Sequence, residues 1–145
     1  MTTEERAQVL LTARLLRAAL RIDWLTTGLT LLACSTLTLF AANRIAAIVV
    51  IALGLIAKLF AVRISFDASL FEDAASGALT LSDLDSALGA LALAPPAKAG
   101  RPWLDRCRGA KRLVYFLAAA ACAQTIAAML MGVADFIVRI SGRAL

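Results

Sequence analysis

Long apolar runs separated by short clusters of charge organise this chain. In residues 1–23 the charges gather on one side of a helical wheel. At 100° per residue Arg6, Arg14, Arg17 and Arg21 fall within about 80° of one another. Val9, Leu11, Leu15, Leu16, Leu20 and Ile22 cover most of the remaining circumference. This predicts an amphipathic helix opened by a capping box between Thr2 and Glu5, with Glu4 and Glu5 at the positive end of its dipole. Lying in the headgroup layer, it would turn Arg14, Arg17 and Arg21 toward anionic lipid or a partner; packing against other helices is the plainer alternative.

Residues 24–42 contain no charged side chain. Their ~19 positions, at 1.5 Å each, match the hydrocarbon thickness of a bilayer. Asn43 and Arg44 make a polar turn, and residues 45–62 form a second apolar run. Residues 24–62 therefore predict an antiparallel transmembrane hairpin, with Lys58 close enough to its end to snorkel. A third span is expected from Leu113 to about Val138, so that 113–145 holds the last transmembrane helix and a short outer tail.

The intervening segment, 63–112, changes sign along its length. Asp67, Glu72, Asp73, Asp83 and Asp85 come first; Lys98, Arg101, Arg106, Arg108, Lys111 and Arg112 follow, opposed only by Asp105. Residues 64–76 can continue the second helix, with Phe66, Leu70 and Ala74 on one stripe and Gly77 as its stop. Ser82 is a candidate N-cap for a short helix that Pro95 and Pro96 end. Gly100 and Pro102 then open a basic helix leading into the third span.

Composition agrees with this pattern: 61% of residues are hydrophobic and 17% charged, against about half and about a quarter in soluble domains. Alanine and leucine dominate and no segment alternates for long, so the fold class is all-α. Twelve of the 15 lysines and arginines lie on one side of the membrane if the N-terminus is cytoplasmic. The positive-inside rule then sets the N-terminus and the 63–112 loop in the cytoplasm and the C-terminus outside; the Ala-, Leu- and Arg-rich composition suggests a bacterial source, hence an inner membrane. Trp24, Trp103 and Tyr115 all fall near the expected inner boundary, where amphipathic rings settle.

Candidate chemistry is sparse. The chain has no histidine, and Cys34, Cys107 and Cys122 are too scattered for a zinc or disulfide framework. No metal or other cofactor is expected. Thr27, Thr30, Cys34 and Thr38 share one face of the first span, either as a polar path or as a helix-packing surface. Small residues repeat at Ala47, Gly54 and Ala61, at Ala119, Ala123 and Ala127, and at Ala120, Ala128 and Gly132. These are close-packing stripes, more numerous than one three-helix bundle needs. Gln124, mid-span, requires a partner that Thr27, Thr30 or Thr38 could supply; Asp135 lies about 20° away on the same face. In the loop Arg101, Asp105, Arg108 and Arg112 can form an ion-pair ladder whose net positive charge suits anionic headgroups. The basic residues sit beside the bilayer without a reader motif, so nucleic acid is not an expected partner.

Leu31-Leu32-Ala33-Cys34 resembles a bacterial lipobox, but Leu37, Leu39, Phe40 and Ala41 continue the apolar run, and we read the segment as a retained span. The overall arrangement resembles bacterial diacylglycerol kinase in topology only. Asp67, Glu72 and Asp73 are the nearest substitutes for its carboxylates, without a phosphate-cradling motif. The expectation is a small multi-pass protein without a catalytic site, serving as an accessory, assembly or regulatory subunit of a larger membrane complex. A lipid-modifying enzyme and a small oligomeric transporter are the alternatives.

Overall fold

The computed structural model describes residues 1–39, 44–90 and 100–141, and leaves aside the side chains of Thr38, Leu39, Leu88, Asp135 and Arg139. Among the described residues the protein is all-α: α1 (Thr3–Leu39), α2 (Arg44–Ser76), α3 (Leu81–Ala90) and α4 (Trp103–Ser141), with no strand. The expected Pro95–Pro96 break and the Asn43 part of the polar turn lie outside the described residues, and Arg44 already opens α2.

Local sequence explains most helix ends. The Thr2 N–H donates to Glu5 Oε2 at 2.8 Å and the Glu5 N–H to Thr2 Oγ1 at 3.2 Å, the reciprocal capping box expected at the start of α1. Gly77 ends α2 with φ of 83°, a left-handed conformation that costs glycine nothing. The cap of α3 differs from expectation. Thr80, not Ser82, precedes the helix, and the Asp83 N–H donates to Thr80 Oγ1 at 3.3 Å while Thr80 N–H donates back to Asp83 Oδ2 at 3.3 Å. Asp83 stands three residues after Thr80 and completes the box, whereas Asp85, three residues after Ser82, is taken by the Gly100 N–H and Arg106. α4 starts at Trp103, directly after Pro102.

The expected boundary at 23/24 has no counterpart in the backbone, since α1 runs unbroken through it. The chain instead divides into two compact units. Unit 1 comprises residues 1–19 and 63–114; unit 2 comprises 20–62 and 115–145. α1, α2 and α4 each contribute to both.

Unit 1 has a core of Val9, Ala13, Leu16, Ile64, Ala68, Phe71, Leu84 and Trp103. The buried stripe of α2 here is Ile64, Ala68, Phe71 and Ala74, rather than the Phe66, Leu70 and Ala74 stripe expected; Phe66 is exposed and its ring carries the Arg63 guanidinium at 5.7 Å. Trp103 packs edge-on against Phe71 with centroids 6.2 Å apart. The ring is thus buried against a neighbouring aromatic rather than presented on the surface. The acidic and basic halves of the loop do meet. Arg106 pairs with Asp85, and the Gly100 N–H donates to Asp85 Oδ2 at 2.7 Å. That backbone bond, with Arg106, holds the Asp85 carboxyl below the usual carboxylate range despite some desolvation. Burial pushes the Asp67 carboxyl up, and Arg63, 3.4 Å away, offsets only part of it.

Unit 2 buries mostly small and polar residues, Thr26, Ala33, Ala47, Gly54, Ala57, Ala61, Ala120, Ala121 and Gln124, together with the larger Val50, Leu117 and Met131. Its outside is large and apolar, from Trp24 and Ile45 (each 81% exposed) through Leu31, Leu59, Ile126 and Leu130 to Phe136. Among the described residues two helices, Arg44–Ser76 and Trp103–Val138, are long and apolar enough to cross a membrane. The second half of α1 is more polar than either, carrying Asp23, Thr26, Thr27, Thr30, Ser35 and Thr36.

Candidate functional site

The polar interior of unit 2 is the densest arrangement of chemistry-bearing groups in the described structure. It starts from the small-residue stripe of α2. Gly54 is buried, and a Cβ built on it would stand 2.0 Å from Thr30 Oγ1 and 2.8 Å from Gln124 Nε2. Only glycine leaves room for a hydroxyl from α1 and an amide from α4 to meet on the backbone of α2.

Gln124 is fully buried. Its Nε2 faces three acceptors: Thr30 Oγ1 at 2.9 Å, the Thr26 carbonyl at 3.1 Å and the Val50 carbonyl at 3.3 Å. Two amide hydrogens serve three acceptors, so one bond is shared. The orientation follows from these neighbours, since turning the amide over would set its oxygen against two carbonyl oxygens. The Thr30 hydroxyl donates its own hydrogen bond to the Thr26 carbonyl at 2.8 Å. One side chain of α4 thereby ties α1 and α2 together. Gln124 Oε1 is buried without a hydrogen-bond partner.

Nearby along α1 and α2 lies an ion pair. Lys58 Nζ donates to Asp23 Oδ2 at 2.7 Å and to Thr27 Oγ1 at 2.9 Å. Thr27 donates in turn to the Asp23 carbonyl at 2.7 Å. Asp23 Oδ1 is buried and lacks a partner. Lys58 was expected to snorkel; a carboxylate within reach in a poorly solvated setting is a better destination for the ammonium than a long excursion to water.

The expected intramembrane candidates thus separate. Thr27 and Thr30 join two different clusters, Gln124 takes Thr30 as its partner, and Thr38 and Asp135 fall outside the described side chains. Asp23 was missed. The signal was present: it stands four residues before Thr27 and seven before Thr30, on the hydroxyl stripe itself. Of the small residues, Ala47, Gly54, Ala61 and Ala120 face inward, whereas Ala119, Ala123 and Gly132 are exposed. Cys34 and Cys122 are exposed and Cys107 is buried.

The expected surface contacts lie in unit 1 or at the first residues of unit 2. Arg14, Arg21, Arg101 and Arg112 are exposed, Arg17 pairs with Glu72, and Arg108 pairs with Asp105 at 2.9 Å. The ladder is therefore reduced to its Asp105–Arg108 rung, and Arg101 precedes the helix. Asp67, Glu72 and Asp73 do not assemble. The first two have their own arginines, and the Asp73 carbonyl accepts the Ala78 and Leu79 N–H groups beyond the end of α2. Among the described residues no three acidic or cysteine side chains cluster in a way that could hold a metal.

The fold and this interior define an all-α protein with two helices able to cross a membrane and a polar seam joining three helices. No protein-family model matches the chain, and neither a curated protein nor a solved structure matches it.

Proposed function

We propose that the protein is a three-span inner-membrane protein, N-terminus cytoplasmic and C-terminus outside, that serves as a non-catalytic accessory, assembly or regulatory subunit of a larger membrane complex. One observation carries the reading: the polar groups inside unit 2 are engaged with one another across α1, α2 and α4, while its outer faces carry large apolar side chains. Polar groups used as interhelical glue hold spans together, and the close approach of Thr30 and Gln124 to Gly54 supports that use.

The depth of the seam supports three crossings. Gln124 lies nine residues after Tyr115, or about 13 Å along α4, close to the middle of a ~30 Å hydrocarbon layer. Its partners Thr26 and Thr30 must share that depth. The first span then starts near Leu20 rather than Trp24, and residues 20–39 cover about 28 Å. On this register Asp23 and Lys58 sit roughly 5 Å inside the inner boundary, where a mutually paired carboxylate and ammonium are tolerated. Unit 1 becomes the cytoplasmic portion and carries most of the basic residues, as the positive-inside rule requires. Outward-facing Ala119, Ala123 and Gly132 give α4 a close-approach surface for another membrane helix.

Extraction in a mild detergent, followed by mass spectrometry of the intact assembly, tests the role. A larger membrane protein at fixed stoichiometry is expected. A clean homo-oligomer with turnover of lipid or transport of solute would overturn it. Reporter fusions at Leu93 and Leu145 test the topology, and both reporting from one side would remove the third crossing.

A further inference from the structure

Unit 1 carries an open groove of about 470 Å³ between its α1 and α4 stretches. Each wall is a single i, i+3, i+4, i+7 stripe about 10 Å long, from Gln8 to Leu15 on α1 and from Leu104 to Lys111 on α4. Thr12 and Cys107 are buried at its floor, and the Thr12 hydroxyl already donates to the Gln8 carbonyl at 2.8 Å. Leu11, Leu15 and Leu104 rise from the floor and are 64%, 44% and 37% exposed. No lining residue is acidic. Asp105, outside the groove, holds Arg108 at 2.9 Å and leaves Lys111 without a carboxylate in the lining.

Leu11 and Leu15 also belong to a seven-residue repeat along α1. Leu11, Ala18, Leu25 and Leu32 occupy one position of it, and Leu15, Ile22 and Leu29 the other. This is the a/d spacing with which one helix packs along another, and it marks the occupant of the groove as a helix. The order of chemistry along the groove narrows the choice. Counted along each helix from the inner boundary, Leu11 and Leu104 stand about 13 and 16 Å away, Arg108 and Lys111 about 10 and 6 Å. A phospholipid of the leaflet runs the other way, with its chains toward the bilayer centre. A second copy of α1 would bring its own exposed Arg14 and Arg21 along the flank of the seam, adding positive charge to a basic groove. An uncharged helix would cover two cations and leave them without a counter-charge.

We propose that this groove seats an amphipathic helix of the larger subunit, rising from the inner membrane surface. Its apolar side chains pack between Leu11, Leu15 and Leu104, and a carboxylate at its membrane-proximal end meets Lys111 and Arg108. The proposal rests on the accessory reading and names the contact through which that role is exercised.

The test uses the full chain in its native membrane, with a photo-reactive benzophenone amino acid in place of Ala7 or Ala18. Both positions are exposed on unit 1 and neither lines the groove. A third probe at Ala123, exposed on unit 2, reports any other contact. Mass spectrometry of the cross-linked peptides is expected to find one segment of one larger membrane protein from Ala7 and Ala18. That segment should carry apolar residues three and four apart, with Asp or Glu within a turn of them. Arg108→Glu with Lys111→Glu should lower the yield at Ala7 and Ala18 on the order of tenfold and spare the yield at Ala123; Arg108→Lys with Lys111→Arg should keep all three. Capture of a second copy, capture of a segment without carboxylates, or yields untouched by the charge reversal would overturn the proposal. Capture from Ala123 alone would overturn the groove and leave the accessory role standing. Capture from none of the three positions would overturn both.

Discussion

Gly54→Ala sets two opposing effects against each other. Alanine is the better helix former by about 1 kcal/mol, so propensity alone predicts a more stable protein. The new methyl, however, would start 2.0 Å from Thr30 Oγ1 and 3.2 Å from Thr30 Cβ. Thr30 cannot simply rotate away, because its hydroxyl both accepts from Gln124 and donates to the Thr26 carbonyl. Overpacking of this kind costs about 1–3 kcal/mol. Loss of an interhelical hydrogen bond within a membrane adds about 0.6 kcal/mol, at most ~1.7. The sum predicts a net loss of roughly 1–2 kcal/mol, with the clash outweighing the propensity. Unfolding in mixed micelles, followed by far-ultraviolet circular dichroism during titration with sodium dodecyl sulfate, measures it. Thr30→Ala alone should cost about 0.6 kcal/mol. The pair should be more stable than the sum of the single losses by about 1 kcal/mol or more, because removing Oγ1 makes room for the methyl. A Gly54→Ala protein as stable as the parent, or strictly additive losses, would falsify the three-helix node.

Three further outcomes follow from the geometry. Asp23→Ala and Lys58→Ala should each destabilise more than half as much as the double substitution. Their coupling is limited to about 0.5–1 kcal/mol because Lys58 keeps 45% of its side chain exposed; a double-mutant cycle in micelles measures it. Trp103→Ala removes the ring that packs on Phe71 and should cost about 3 kcal/mol, with limited proteolysis cutting unit 1 before unit 2. Asp85 has a folded pKa below its unfolded value, so its contribution is complete above the unfolded pKa and disappears as pH falls through the folded one. Asp85→Asn should therefore weaken unit 1 at neutral pH and reduce its further loss in acid, read as the difference between denaturation curves at pH 7 and near the carboxylate range. An unchanged acid response would mean that Asp85 is not a source of it.

The helices were legible because their signals are local. The Thr2–Glu5 box, the Gly77 stop and the apolar runs act over a few residues and need no knowledge of the rest of the chain. The meeting of the acidic and basic loop halves could be expected from charge alone, although not that Asp85 and Arg106 would be the pair. The stripe of α2 was misjudged because Phe66 and Leu70 look like core residues by type, and only the position of Trp103 decides that Phe71 is inside.

Composition, periodicity and charge asymmetry established an all-α chain with membrane-length apolar helices, because burial of backbone polar groups and the cost of transferring charge are read residue by residue. Depth and partnership required the packed helices. Gln124 needs a hydrogen-bond partner in any membrane fold, but Thr30 became that partner only because Gly54 lets three backbones approach. Lys58 finds Asp23, 35 residues away in sequence, because the hairpin brings one turn of α2 beside one turn of α1. Such pairings depend on the relative register of helices, which is set by side-chain shape across an interface and leaves no periodic mark along the chain.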